Sequence, residues 1–374
     1  YYSRHLIMPE LGMAGQRALK AARVLVIGAG GLGSPVCLYL AAAGVGRLGI
    51  VEFDRVEPSN LHRQVLYGAG DIGRKKLDVV AGRLRDLNPH INIEPYALEI
   101  SARNAGNIVA EYDIVVDATD NFPTRYLMND ACVLAGVPDV YASIFRFEGQ
   151  LSVFSAPGGP CYRCLYPEPP PAGMVPSCAE GGVLGVLPGI IGALQANEVL
   201  KLILGLGDSL VGKLLLFDAL TLGMTKLEVL RDDNCPLCSE RATIRELVDY
   251  HDFCGVPLPG AYDEAVFQGV SEITVSDLND IIRRGEPITL IDVRTPMEFE
   301  IARLPDARLI PLSELEERTA EFEFDRRIIC FCQTGVRSAL AARTLKNAGY
   351  EEVVSVRGGI DAWSVEIDPS VPRY

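Results

Sequence analysis

The sequence predicts an α/β protein of two domains, the larger built on a doubly wound sheet and the smaller following a linker. Three observations carry this. The chain has 374 residues, against a prior of roughly 150 residues per domain. Short β-branched runs alternate with helical stretches in both halves, the pattern of strand–helix–strand units. Between the halves, residues 251–271 lack periodicity and carry a Gly/Pro-rich run, as a linker does. The expected domains are therefore 1–250 and 272–374.

In the first domain, Val24–Ile27 is a short apolar run ending in glycines and reads as a buried parallel strand. Residues 34–43 read as a helix and Arg47–Phe53 as the next strand. Ile93–Ala97 and Ile114–Asp117 read as further strands, with helices around 75–87 and 124–136. Residues 157–182 are rich in Pro and Gly, and a loop that long in a compact domain is usually functional. Residues 183–206 are strongly apolar, but Gln195, Asn197, Glu198 and Lys201 interrupt them, so a buried helix is expected and no membrane span. Residues 213–230 read as strands that antiparallel pairing would suit, giving a mixed sheet. In the second domain the strands are Thr289–Val293, Arg327–Phe331 and Val353–Val356, with helices at 276–284, 296–301, 336–348 and 360–364.

Composition narrows the chemistry. Apolar residues form 48% of the chain, too many for a disordered protein. The net charge of −14 argues against nucleic acid as a partner. No secretory leader pattern is read, and the ten cysteines include two CxxC pairs that suit a reducing compartment, so a cytoplasmic location is expected.

Gly28-Ala29-Gly30-Gly31-Leu32-Gly33 follows a strand and opens a helix. Such a loop lets backbone approach a phosphate at a helix N-terminus. Glu52 lies 19 residues beyond Gly33, at the end of the next strand, where an acid can bond ribose hydroxyls. This much fits a nicotinamide dehydrogenase as well as an ATP enzyme. The next motifs favour ATP, because a triphosphate attacked at its α-phosphorus needs cations and a metal. Arg63 and Lys76 can neutralise phosphate, and Asp120 can hold Mg²⁺.

Cys161/Cys164 and Cys235/Cys238 offer four thiolates in two pairs with no open position, the donor set of structural zinc. The rival is a redox CxxC, but neither pair has a strand before it and a helix after it in the thioredoxin manner. Cys332 begins the loop Cys332-Gln333-Thr334-Gly335-Val336-Arg337 between an apolar strand and a helix. Successive N–H groups and the helix dipole can stabilise a thiolate or persulfide there, and Arg337 can add charge. A phosphatase loop has five residues between Cys and Arg. Here there are four, a smaller cradle suited to sulfur. Cys37, Cys132, Cys254 and Cys330 read as packing residues.

GAGGLGS, SNLHRQ, DATDN, the two CxxC pairs and PSCAEGGVLG occur in order, and together they resemble the MoeB/ThiF family, relatives of the ubiquitin-activating enzymes. The match runs from about residue 2 to about residue 250. With DVR at 292–294 and RGGIDAW at 357–363, the chain looks most like the subgroup ending in a rhodanese domain. The resemblance implies a Rossmann-like, ubiquitin-activating-type domain with a mixed sheet, plus a small α/β rhodanese domain. It implies ATP and Mg²⁺, and adenylation of the C-terminal glycine of a small ubiquitin-fold sulfur carrier ending in Gly-Gly. It assigns Gly31, Glu52, Ser59, Asn60, Arg63, Lys76, Asp120 and Asn121 to the nucleotide pocket, with Leu61 and His62 inside the same motif. Asp120 matches the catalytic, Mg²⁺-associated aspartate. Arg4 matches an arginine given across a homodimer interface, and Cys178 matches the family's loop cysteine, which forms a thioester in the ubiquitin-activating branch and reads here as a second thiol for the sulfur step or as an idle loop thiol. Two departures stand out. Glu52 replaces the usual Asp, and Ala302–Ala307 (ARLPDA) replaces GHIPGA.

The expected activity is adenylation of the carrier followed by sulfur transfer from a Cys332 persulfide. The sulfur donor is expected to be a cysteine desulfurase or thiosulfate. Two other classes remain as alternatives: an NAD-dependent oxidoreductase with a regulatory thiol domain, and a non-catalytic scaffold for a ubiquitin-fold partner.

Overall fold

The computed structural model describes residues 1–170, 181–254, 267–322 and 326–373. The chain divides into two compact units, Tyr1–Val256 and Pro257–Tyr374.

In the first unit, the described residues form an eight-stranded mixed sheet. Its strands are β1 (Arg23–Ile27), β2 (Arg47–Val51), β3 (Asn92–Tyr96), β4 (Ile114–Asp117), β5 (Asp139–Phe145), β6 (Glu148–Phe154), β7 (Lys213–Asp218) and β8 (Gly223–Glu228). The order is β3-β2-β1-β4-β5-β6-β7-β8. The first five in this row pair in parallel and the last three antiparallel. The expected mixed sheet is present. The hairpin β5–β6 was not legible in the sequence, because its residues alternate weakly and its turn carries none of the Asn-Gly or Asp-Gly signals.

The chain reverses its direction of travel across the sheet between β1 and β4, and such a switch point opens a crevice at the strand C-termini. The glycine loop leaves β1 there and the DATDN loop leaves β4 beside it. Register sets Ile27 against both Val51 and Asp117. Two backbone bonds continue that register, Gly28 N–H to the Val51 carbonyl at 2.9 Å and Ala118 N–H to the Ile27 carbonyl at 3.0 Å.

Helix Gly33–Ala43 starts at the crevice and is buried along most of its length. Its start allows no side chain, since a Cβ on Gly33 would lie 2.0 Å from the Gly28 carbonyl oxygen. Gly33→Ala is expected to destabilise the unit by about 3 kcal/mol or more, because backbone itself must move. Chemical denaturation reads the effect as a lower midpoint.

Helix Leu187–Leu204 is long and apolar enough to cross a membrane by composition alone. Here it packs on helix Gly33–Ala43 and on β5 and β6. Its buried Gln195 donates Nε2–H to the carbonyls of Asp117 and Val140 at 2.8 and 2.9 Å. Helix Tyr250–Cys254, which starts at the last residue of the expected first domain and runs into the stretch read as linker, belongs to this unit, with Tyr250 and Cys254 buried in its core.

The second unit holds a five-stranded parallel sheet among its described residues: β9 (Ser271–Ile273), β10 (Ile288–Asp292), β11 (Arg308–Leu309), β12 (Arg327–Phe331) and β13 (Val353–Val356). Its order is β11-β10-β12-β13-β9. Helices Val275–Arg284, Pro296–Ile301, Val336–Asn347 and Gly359–Glu366 lie close to where periodicity places them. The short strands β9 and β11 carry too few residues to show a period. In the ARLPDA departure, Asp306 takes φ +58°, a left-handed backbone at the position where GHIPGA has its second glycine.

Candidate functional site

The crevice of the first unit is pinned by buried polar groups. Glu52, 6% exposed, accepts from Ala29 N–H with Oε2 at 3.0 Å. Its Oε1 accepts from Phe53 and Asp54 N–H, both at 2.9 Å. The longer acid in place of Asp thus ties the glycine loop to β2. Tyr67 donates its hydroxyl to the Ala29 carbonyl at 2.8 Å and fixes the loop from the other side. A Cβ on Gly31 would meet Pro188 at 3.1 Å.

The SNLHRQ residues follow in a short 3-10 turn, Pro58–Asn60. Asn60 is buried and accepts from Glu57 N–H at 3.3 Å, and Ser59 is exposed. Leu61 is half-buried. Arg63 is half-buried, with Nη1 donating to the Ser59 carbonyl at 2.9 Å and lying 2.9 Å from His62 Nε2. Burial and the Arg63 charge lower the His62 pKa. Lys76 begins helix Lys76–Leu87 and is 5% exposed. Its ammonium meets Asp54 at 3.0 Å, a partner that sequence reading missed.

Across the crevice, Asp120 is exposed at the tip of the DATDN loop. Asn121 caps helix Phe122–Ala135, its Oδ1 accepting from Thr124 N–H at 2.9 Å. The loop rests on a buried network that sequence reading also missed. Asp117 Oδ1 accepts from both Thr119 N–H and Thr119 Oγ1–H, at 2.9 and 2.6 Å. Arg125, 8% exposed, donates to the Thr119 carbonyl and lies over the Tyr141 ring, 5.5 Å from its centroid. Burial raises the Asp117 carboxyl, and it raises Asp139 on the neighbouring strand further. The N-terminal helix Ser3–Leu6 carries an exposed Arg4.

The four expected metal cysteines converge. Cys161 Sγ lies 3.9 Å from Cys164 Sγ and 3.6 Å from Cys235 Sγ, and Cys164 Sγ lies 3.4 Å from Cys238 Sγ. All four sulfurs fall within 4.8 Å of one another. Sulfurs about 2.3 Å from a tetrahedral ion stand about 3.8 Å apart, so the cluster fits a thiolate-bound metal. Behind it, Arg163 forms a buried ion pair with Asp130 at 2.8 Å, and Tyr250 donates to the same carboxylate at 2.7 Å. The knuckle is thereby bolted to helix Phe122–Ala135 and to helix Tyr250–Cys254.

In the second unit, Cys332 follows β12 directly and is 1% exposed. Its Sγ accepts from Gly335 N–H at 3.1 Å and from Ser338 Oγ–H at 3.6 Å. Ser338 and Ser355 lie 2.9 Å apart behind it. Gly335 takes φ +105° to turn the chain into helix Val336–Asn347. A Cβ on Gly359 would come within 2.3 Å of the Cys332 carbonyl oxygen, so the RGG segment can back the loop only as glycine. Arg337 pairs with Glu298. Its Nη1 and Nη2 donate to Glu298 at 2.9 and 2.7 Å. Burial would raise Glu298, but Arg337 and Thr295 outweigh it and hold the carboxyl at about 2. Asp292 and Arg294 form a fully buried pair at 2.6 Å. Cys178 lies outside the described residues. The four cysteines read as packing residues, Cys37, Cys132, Cys254 and Cys330, are all buried.

The two units therefore define an enzyme that joins nucleotide chemistry to cysteine-borne sulfur chemistry. Comparison with known proteins agrees. The ThiF family matches residues 2–237 and the rhodanese-like domain matches residues 274–366. A probable adenylyltransferase/sulfurtransferase MoeZ of Mycobacterium tuberculosis is 48% identical over all of this chain and 94% of its own length. The adenylyltransferase and sulfurtransferase MOCS3 of Sus scrofa is 45% identical over all of this chain and 87% of its own. A sulfur carrier protein adenylyltransferase of Thermus thermophilus is 56% identical over 68% of this chain and 96% of its own. Among solved structures, E. coli MccB with MccA-N7isoASN superposes with a TM-score of 0.55 at 25% identity, covering 60% of this chain and 69% of that one. The chain belongs to the ThiF family and carries a C-terminal rhodanese-like domain. It is an adenylyltransferase and a sulfurtransferase.

Proposed function

We propose that the first unit adenylates the C-terminal glycine of a small ubiquitin-fold sulfur carrier ending in Gly-Gly, and that the second sulfurates it. The observation that carries this reading is Cys332, its sulfur held 3.1 Å from the Gly335 N–H in a chain whose other unit has a nucleotide crevice. The loop N–H groups and the start of helix Gly33–Ala43 receive the phosphates. Arg63 and Lys76 supply positive charge, and Glu52 faces the ribose end. Gly31, Ser59, Asn60, Leu61, His62 and Asn121 line the same pocket. Asp120 offers one exposed carboxylate, which suits Mg²⁺, an ion that takes few protein ligands and completes its shell with phosphate and water. The four cysteines hold Zn²⁺ as a structural ion. Arg4 serves a second copy's pocket in a homodimer, and the enzyme is cytoplasmic.

The carrier's terminal carboxylate attacks the α-phosphorus, and pyrophosphate leaves. The outer sulfur of a Cys332 persulfide then attacks the acyl carbon, and AMP leaves with its bonding electrons. A second thiol, for which Cys178 is the candidate, attacks Cys332 Sγ. The new disulfide forms as the thiocarboxylate departs, and an external dithiol then reduces it. The test is carrier-dependent ATP–pyrophosphate exchange. Asp120→Ala is expected to lower it about a hundredfold or more, the scale of losing a catalytic electrostatic group. Undiminished exchange in that variant, or NAD binding in place of ATP, would overturn the reading.

A further inference from the structure

Resting on the reading of Arg63 as a ligand of the ATP phosphates, we infer that His62 is a positioning residue for adenylation: its imidazole holds the Arg63 guanidinium in place, and residues 181–186 seat that imidazole. His62 thereby joins the phosphate clamp to the end of the Pro/Gly-rich loop. A long side chain at the rim of a crevice loses rotamer freedom when it binds, and anchoring it beforehand removes that cost. Three contacts anchor Arg63. Its stem runs along the glycine loop, with Cγ 3.7 Å from where a Cβ on Gly31 would stand. Its Nη1 donates to the Ser59 carbonyl and to His62 Nε2, both at 2.9 Å. A guanidinium only donates, so the His62 ring is neutral at this bond and accepts through Nε2, with its proton on Nδ1. Both bonds fall on one nitrogen. The rest of the planar fork, Nε and Nη2, is oriented with it, and such a fork suits phosphate oxygens.

His62 is seated in turn by a segment far away in sequence. A Cβ on Gly185 would lie 2.6 Å from the His62 carbonyl oxygen and 3.0 Å from its Nδ1. Only glycine lets the chain pass this close to both the backbone and the ring. The same segment is fixed from its other end. Arg146, at the turn between β5 and β6, donates its N–H to the Gly182 carbonyl at 3.2 Å and accepts from Leu184 N–H at 2.9 Å. Helix Leu187–Leu204 follows directly. The end of the loop is thus tied to the sheet at one point and to His62 at the next. His62 itself is exposed, as suits a joint and not a core residue.

The experiment is carrier-dependent ATP–pyrophosphate exchange at varied ATP in the full-length protein, with a thermal melt on each variant. His62→Ala is expected to raise the ATP KM about tenfold, the scale of one hydrogen bond to a charged group. Its kcat and its melt are expected to stay near wild type, the signature of lost uniform binding. His62→Gln, whose amide oxygen can accept from Arg63, is expected to restore the KM. Gly185→Ala is expected to raise the KM as His62→Ala does, and the double variant to add nothing further, since both act through one joint. An ATP KM unmoved in His62→Ala, a loss confined to kcat, no rescue by Gln, or an additive double variant would overturn the inference. Arg63→Ala separates the two ways of failing. It raises the ATP KM at least as far as His62→Ala if Arg63 meets the phosphates, and an unchanged KM there would overturn that reading and the inference with it.

Discussion

Cys332→Ala is expected to abolish thiocarboxylate formation while leaving carrier-dependent ATP–pyrophosphate exchange within about twofold of wild type, the range of an energetically uncoupled site. The split follows from the division of the chain into two compact units with separate cores. Cys332 sits in the second core, where Ala keeps the buried volume nearly unchanged and removes only the sulfur. Glu52, Arg63, Lys76 and Asp120, the groups proposed for adenylation, all belong to the first unit. Losing both activities would mean that the thiol supports the fold. Losing neither would mean that sulfur reaches the carrier by another route. Measuring exchange and thiocarboxylate on the same preparation, with a thermal melt, separates these outcomes.

The second large effect concerns the metal. Removing it, or substituting Cys235→Ser, is expected to cost the first unit several kcal/mol, because a structural thiolate site contributes its binding free energy to folding. Cys161 and Cys235 are fully buried, so no water can replace a lost ligand. The knuckle also positions Arg163 on Asp130 and joins the chain near residue 161 to that near residue 235. Without the ion, four thiols would crowd within 4.8 Å with nothing to hold them. The expected result is a lower melting temperature with a chelator, loss of one zinc per chain by elemental analysis, and loss of exchange activity in parallel. A melt unchanged after complete metal removal would contradict it.

Much of this was legible from sequence. Strand runs such as RVLVI and RIICF are apolar after their leading arginine because parallel strands are covered on both faces, and the structure buries all four apolar residues of each. The glycine loop, the two CxxC pairs and the Cys332 loop could be read because each packs its chemistry into a few adjacent residues. The missing parts are pairings between residues far apart in sequence. Tyr67 bonds Ala29, Asp54 meets Lys76, and Glu298 lies 39 residues from Arg337. No local pattern marks such a partner, and an Arg five residues after a thiol carries the same letter whichever way it turns. Asp117 stood inside a quoted motif, yet its role as the buried anchor of the Asp120 loop depends on Thr119 and on register with β1.

The sulfur relay is tested by following the sulfur atom itself. Cys332 is loaded with radiolabelled sulfane sulfur, free donor is removed, and carrier with ATP is added for a single turnover. Label is expected to move from the enzyme to the carrier's C-terminus in near-equal amount, only when ATP is present, and not at all in Asp120→Ala. Label that stays on Cys332 while the carrier gains unlabelled sulfur would contradict it.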